Sequence, residues 1–188
     1  SAFGEVFWFY PSATNAVANG GSGENDKYVV YNYDQKIWYV GSLARSSWID
    51  RGVYQYPMAT DSNLVYNHEK GNDNDGTAFT SFIESSPIDV QDGDQFVFLR
   101  RMIPDISFDN SDSNISNDNK QAVLSLKAQR SPNGGFVKTS TNTVTSTTEL
   151  NHLRLRGRSF GLRVESTTQG VNWRLGTQRV DIRADGDR

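Results

Sequence analysis

The chain has 188 residues, no cysteine, a formal net charge of −3 and a pI near 5.4. That length holds one large domain or two small ones around a real core. The lack of cysteine excludes disulfides, thiol nucleophiles and cysteine metal sites, and the acidic balance argues against a free nucleic-acid binder, which carries net basic charge.

The 4 Trp, 8 Tyr and 10 Phe sit in short apolar runs, and the 16 Gly lie mostly between them beside Ser, Thr, Asn and Asp. This is the composition of short strands joined by turns. No apolar run approaches the roughly 20 residues of a membrane span, so no membrane insertion is expected. No signal-peptide pattern is visible. The chain starts at Ser1 and enters an aromatic run within a few residues, so a piece of a longer chain is expected.

The first predicted strand is Val6-Phe7-Trp8-Phe9-Tyr10, closed by Pro11. A polar loop over residues 12–26 follows, containing Gly20-Gly21-Ser22-Gly23. Tyr28-Val29-Val30-Tyr31 and Ile37-Trp38-Tyr39-Val40 flank a polar break and predict a hairpin. The pattern has the look of a β-propeller blade, in which aromatics pack between neighbours. Residues 46–57, with Trp48 and Ile49, predict the start of another blade. Leu64-Val65-Tyr66 and residues 78–83 predict further strands around the polar loop 71–76. Two blades cannot close a ring that needs about four.

The second half changes character. Residues 95–103 form an apolar run broken by Arg100-Arg101, which predicts a strand covered on both faces. Val123-Leu124-Ser125-Leu126 predicts a strand, and Ser131-Pro132-Asn133-Gly134-Gly135 a turn. Residues 139–148 fit either an exposed strand or a loop. Strict alternation in Leu153–Arg156, Phe160–Glu165, Val171–Leu175 and Val180–Arg183 predicts a meander of about four antiparallel strands with one buried face, half of a sandwich. No segment carries a sustained helical period. The fold expected is therefore all-β, with partial propeller-like blades over residues 1–90 and an antiparallel sandwich-like region over residues 91–188.

Candidates for chemistry are few. His152 reads as a loop histidine at the mouth of a strand, and His68 ends a strand near the acidic loop. No G-x-S-x-G elbow supports a nucleophile. In residues 71–76 a calcium loop with Gly76 as its sixth position would start at Gly71 and end at Phe82, neither of them a suitable ligand, so a solvated hairpin tip is expected. Glu84, Asp89, Asp92 and Asp94 cluster, but in turn chemistry ahead of a strand, so paired-carboxylate catalysis is not expected. The unusual charged pattern is arginine. Arg154, Arg156, Arg158 and Arg163, with Arg174, Arg179 and Arg183, project from strands whose other face is apolar. They form either a solvated face that discourages edge pairing or a surface for a subunit contact, DNA or an acidic partner.

Several segments resemble the tail nozzle, or packaged-DNA stabilisation, proteins of short-tailed bacteriophages. They are residues 5–12, residues 25–33, Trp38-Tyr39, Tyr56-Pro57-Met58-Ala59, Ile83-Glu84-Ser85, Phe98-Leu99-Arg100-Arg101 and residues 173–183. The resemblance implies a propeller combined with sandwich-like segments in a virion tail, assembled in the host cytoplasm. It implies a six-fold ring of copies, contacts to tail adaptor or portal-proximal proteins, and packaged DNA retained in the lumen. It carries over no catalytic residue and no cofactor, so a structural protein rather than an enzyme is expected. The chain is much shorter than a full nozzle subunit. The alternative is a carbohydrate-binding or host-recognition module of a phage tail, since Trp8, Trp38, Trp48 and Trp173 can stack on sugar rings. Each sits inside a strand pattern and reads first as a packing residue.

Overall fold

The structure, a computed structural model, describes residues 3–186. It is all-β. Among those residues the only helical segments are two 3-10 turns, Val17–Asn19 and Asn117–Asn119, and every strand pairing is antiparallel. The chain divides into two compact units, Ser1–Lys70 and Gly71–Arg188.

The first unit holds two three-stranded meanders. Strands β1 (Glu5–Tyr10), β2 (Lys27–Asn32) and β3 (Ile37–Ser42) form one; β4 (Ser47–Ile49), β5 (Met58–Asp61) and β6 (Leu64–Asn67) form the other. The predicted β2–β3 hairpin is present. Its loop is held by the Asn32 side chain, whose Oδ1 accepts from the Gln35 amide at 2.8 Å, the local bond that makes Asn a turn former. Each meander is one strand short of a four-stranded propeller blade, and neither closes on itself among the described residues.

Alternation along β1 turns Phe7 and Phe9 to one side, where Tyr28 joins them. Trp48 of β4 packs on that group, with ring centroids 5.8 Å from Phe7 and 5.5 Å from Phe9. Aromatic pairs of this kind are each worth about 0.5–1.5 kcal/mol beyond area burial. On β3, Gly41 leaves room for the Tyr28 ring, which lies where a side chain would stand. Trp48 also packs on His68, with ring centroids 4.6 Å apart. His68 Nε2 accepts a hydrogen bond from Arg45 Nε at 3.0 Å, so it is held as the neutral imidazole. Arg45 also lies over the Tyr66 ring and 3.7 Å from Asp61.

The second unit is a small sandwich. One sheet runs β12 (Phe136–Thr145), β11 (Gln121–Gln129), β14 (Ser159–Ser166), β7 (Ser81–Glu84), with β8 (Ile88–Asp89) also on β14. The other runs β13 (Asn151–Gly157), β9 (Val97–Ile103), β16 (Arg179–Ala184); β10 (Ile106–Ser107) and β15 (Arg174–Leu175) make a separate pair. Ala122, Leu124, Leu126 and Ala128 of β11, Val144 of β12, and Phe160 and Val164 of β14 share one buried cluster with Val97, Leu99 and Met102 of β9 and Leu153 and Leu155 of β13. Two inward faces of alternating residues enclosing one core is the physics of a sandwich.

Four expectations change. The boundary lies at Lys70/Gly71 rather than near residue 90, because β7 and β8 are completed only by pairing with β14. The run 95–103 is buried at Val97, Leu99 and Met102, while Arg100, Arg101 and Ile103 are exposed. The step of three from Leu99 to Met102 is a bulge: against β16 the register slips there, Asp181 facing Arg101 and Ile182 facing Leu99. The C-terminal meander is not one sheet, since β13 and β14, separated by Arg158 alone, belong to opposite layers. Gly157 marks that crossing, because a Cβ there would stand 2.9 Å from the Gln129 carbonyl oxygen. Between Val171 and Leu175 only the last two residues form strand. The ambiguous run 139–148 is mostly an edge strand, anchored by buried Val144.

Leu155 is fully buried, so Leu155→Ala is expected to cost about 3 kcal/mol, read as a lowered midpoint in urea with an unchanged slope. Burial first, and the Arg45 charge second, hold the His68 pKa below its ordinary 6.5. The folded state therefore resists protonation, and this contribution to stability is present above pH 6.5 and is lost as pH falls below it. Melting curves should show the wild type losing more Tm than His68→Gln between pH 7 and pH 5. Parallel profiles would contradict this role for His68.

Candidate functional site

The outer face of the β13–β9–β16 sheet is basic. Alternation along β13 buries Asn151, Leu153, Leu155 and Gly157 and turns His152, Arg154 and Arg156 outward. On β9, Phe98 faces outward between Arg156 on one side and Arg183 of β16 on the other, by register. Two adjoining clefts lie here. The larger, of about 600 Å³, is lined by Phe98, Val137, Lys138, Arg130, Arg154, Arg156 and Asp185. The second, of about 420 Å³, adds Arg100, His152 and Arg183.

Five cations lining these clefts, Arg100, Arg154 and Arg183 of this sheet with Arg130 and Lys138 from the β11–β12 segment, form no ion pair among the described residues. Arg156 differs: its Nε donates to the Asp185 carboxylate, its Nη2 donates to the Asp185 carbonyl at 3.2 Å, and its guanidinium lies 4.1 Å from the Phe96 ring centroid. Arg158, at the crossing between layers, lies 4.7 Å from the same centroid, and its Nε is buried without a hydrogen-bond partner. Phe96 is thus shared by two cations, an arrangement that fixes both guanidinium groups through the ring's negative face.

The four arginines singled out in the sequence do not share one surface. Arg154 and Arg156 share the outer face of β13. Arg158 belongs to the crossing. Arg163 projects from the other sheet, where Nη1 donates to Glu84 at 2.7 Å, Nε donates to Glu165 at 2.7 Å, and the guanidinium covers Phe82 at 3.9 Å. Arg100, Arg130 and Lys138 were not foreseen in this group. Arg100 was masked by the apolar run around it, and Arg130 and Lys138 flank a turn whose position over β13 is a product of folding.

The other candidates are placed as follows. Glu84 is held by Lys127 and Arg163, whose hydrogen bonds, Lys127 first, keep its carboxyl below the usual range. Asp89 lies in β8, and Gly93 packs against its carboxylate. His152 is exposed inside a strand rather than in a loop. Residues 74–77 close a two-residue turn on Asp75-Gly76, both at positive φ, as Asp-Gly favours. The loop is not a free tip: Asn72 Nδ2 donates to the Asn110 carbonyl and to Asp112, both at 2.8 Å. Among the tryptophans, Trp48 is half-buried in the first unit and Trp173 packs on the sandwich core, its Nε1 donating to Ser81 at 2.8 Å. Trp8 and Trp38 differ from their expected packing role, being 46% and 62% exposed.

Compared with known proteins, the chain matches no family model and no curated protein sequence.

Proposed function

We propose that this chain is a structural module whose basic sheet face contacts a polyanion, packaged DNA in the phage-tail setting that the resemblance implies. The observation that carries this reading is the set of five cations without ion-pair partners among the described residues that line two adjoining clefts, in a chain of net charge −3. A cleft lined by charge of one sign focuses the field and draws ligands of the opposite sign. The cations come from β9, β13, β16 and the strand-turn segment around β12. They form a broad surface without a single deep pocket, which suits a repeating phosphate backbone rather than a small anion. Arginine is suited to such contacts because its fork bonds phosphate oxygens in pairs.

A second reading, a sugar-binding host-recognition module, draws on the exposure of Trp8 and Trp38, whose rings stack with centroids 5.7 Å apart. That platform lacks charge and lies in the other unit, so the two readings separate experimentally.

Binding of a short DNA duplex is expected to weaken steeply between about 50 and 200 mM salt, with a log–log slope of about −4.5 for five phosphate contacts. Arg154→Ala and Arg183→Ala should each reduce that slope by about one, while Arg179→Ala, outside the clefts, should leave it unchanged. Salt-insensitive binding, or a slope indifferent to loss of both cleft arginines, would refute the reading.

A further inference from the structure

Strand β3 is exposed in a way that no other strand of its sheet is. Ile37, Trp38, Tyr39 and Val40 are 49%, 62%, 37% and 72% exposed. Consecutive residues point to opposite faces of a sheet, so this strand is uncovered on both faces. It is also an edge: β3 pairs with β2 alone. By contrast, β1 alternates, with Val6, Trp8 and Tyr10 exposed and Phe7 and Phe9 partly covered by Trp48.

Natural edge strands are protected by charge, proline, bulges or shortness. Residues 37–42 contain no charged residue and no proline, and the β2–β3 register runs from Lys27–Ser42 to Asn32–Ile37 without a slip. The six-residue strand is of average length. We infer that β3 is a pairing edge, and that its occupant is β3 of a second copy of this chain, added antiparallel about a twofold axis at Tyr39.

Three features choose that occupant. What is unpaired is a row of backbone donors and acceptors, which another backbone strand satisfies and a sugar or a bound side chain does not. The strand carries no charge of its own, and the Glu5 carboxylate beside it accepts a hydrogen bond from the Tyr39 hydroxyl at 2.5 Å. The side-chain pattern is also self-complementary in this register. Trp38 meets Val40 of the second copy on one face, and Ile37 meets Gly41 of the second copy on the other. On the first of these faces Trp38 already stacks with Trp8 and lies 4.6 Å from the Tyr31 ring, so pairing joins two aromatic strips into one continuous apolar surface. The contact lies in the first unit and the basic clefts in the second, so pairing and polyanion binding fail separately.

Sedimentation of the intact chain over increasing concentration tests this. The mass is expected to rise from one copy to two, and amide exchange at residues 37–41 to slow with it. Val40→Lys places a charge on the edge at an exposed position and should hold the chain as a single copy with unchanged circular dichroism. Val65→Lys, at an exposed position of β6, should pair as the wild type does. A single copy at all concentrations, or pairing indifferent to Val40→Lys, overturns the proposal. So does capture of a soluble polysaccharide that is lost in Trp38→Ala while the mass stays at one copy.

Discussion

Between β13 and β14 there is one residue, and in that step the chain leaves one layer of the sandwich and enters the other. Gly157 permits it because the Gln129 carbonyl comes too close for a side chain. The Arg158 backbone secures it, its amide donating to Gln129 at 2.9 Å and its carbonyl accepting from Val90 at 3.2 Å. Leu153 and Leu155 therefore face the core from one side while Phe160 and Val164 face it from the other. Without the crossing, four alternating segments would form one flat sheet with a single wet face and an uncovered apolar one. With it, the same alternation builds two layers that bury each other.

That topology also determines where charge goes. Arginines at even positions of β13 and at Arg163 of β14 are all outward-facing, but outward now means opposite sides of the sandwich. On the β14 side, Glu84 and Glu165 neutralise Arg163. On the β13 side, Asp185 answers Arg156, and Arg100, Arg154 and Arg183 lack acidic partners. The bulge at Arg100–Arg101 contributes, since it restores Met102 to the core after two successive exposed arginines. A single extra residue thus adds a cation to the basic face without costing a core position.

The first unit solves a different problem with fewer residues. Its two small meanders have little aliphatic core, and only Val30 and Ala59 among their apolar strand residues are fully buried. Aromatic stacking substitutes for volume: Trp48 covers Phe7 and Phe9, and His68 covers Trp48. The cost is a titratable ring at the end of the stack and a second aromatic face left exposed on β1 and β3.

Much of this was legible in the sequence. Alternation in residues 153–156 and 160–165 requires strands with one apolar face, because side chains of a pleated backbone point to opposite sides in turn. The Asn32 and Asp75-Gly76 turns follow from local backbone chemistry in the same way. Alternation states which residues share a face of one strand, and nothing about which strand lies beside it. The break at Lys70, the separation of Arg154 from Arg163, the recruitment of Arg130 and Lys138, and the exposure of Trp8 and Trp38 all depend on pairings between distant segments. Those pairings are chosen by the packing of the whole core, so only the tertiary structure decided them.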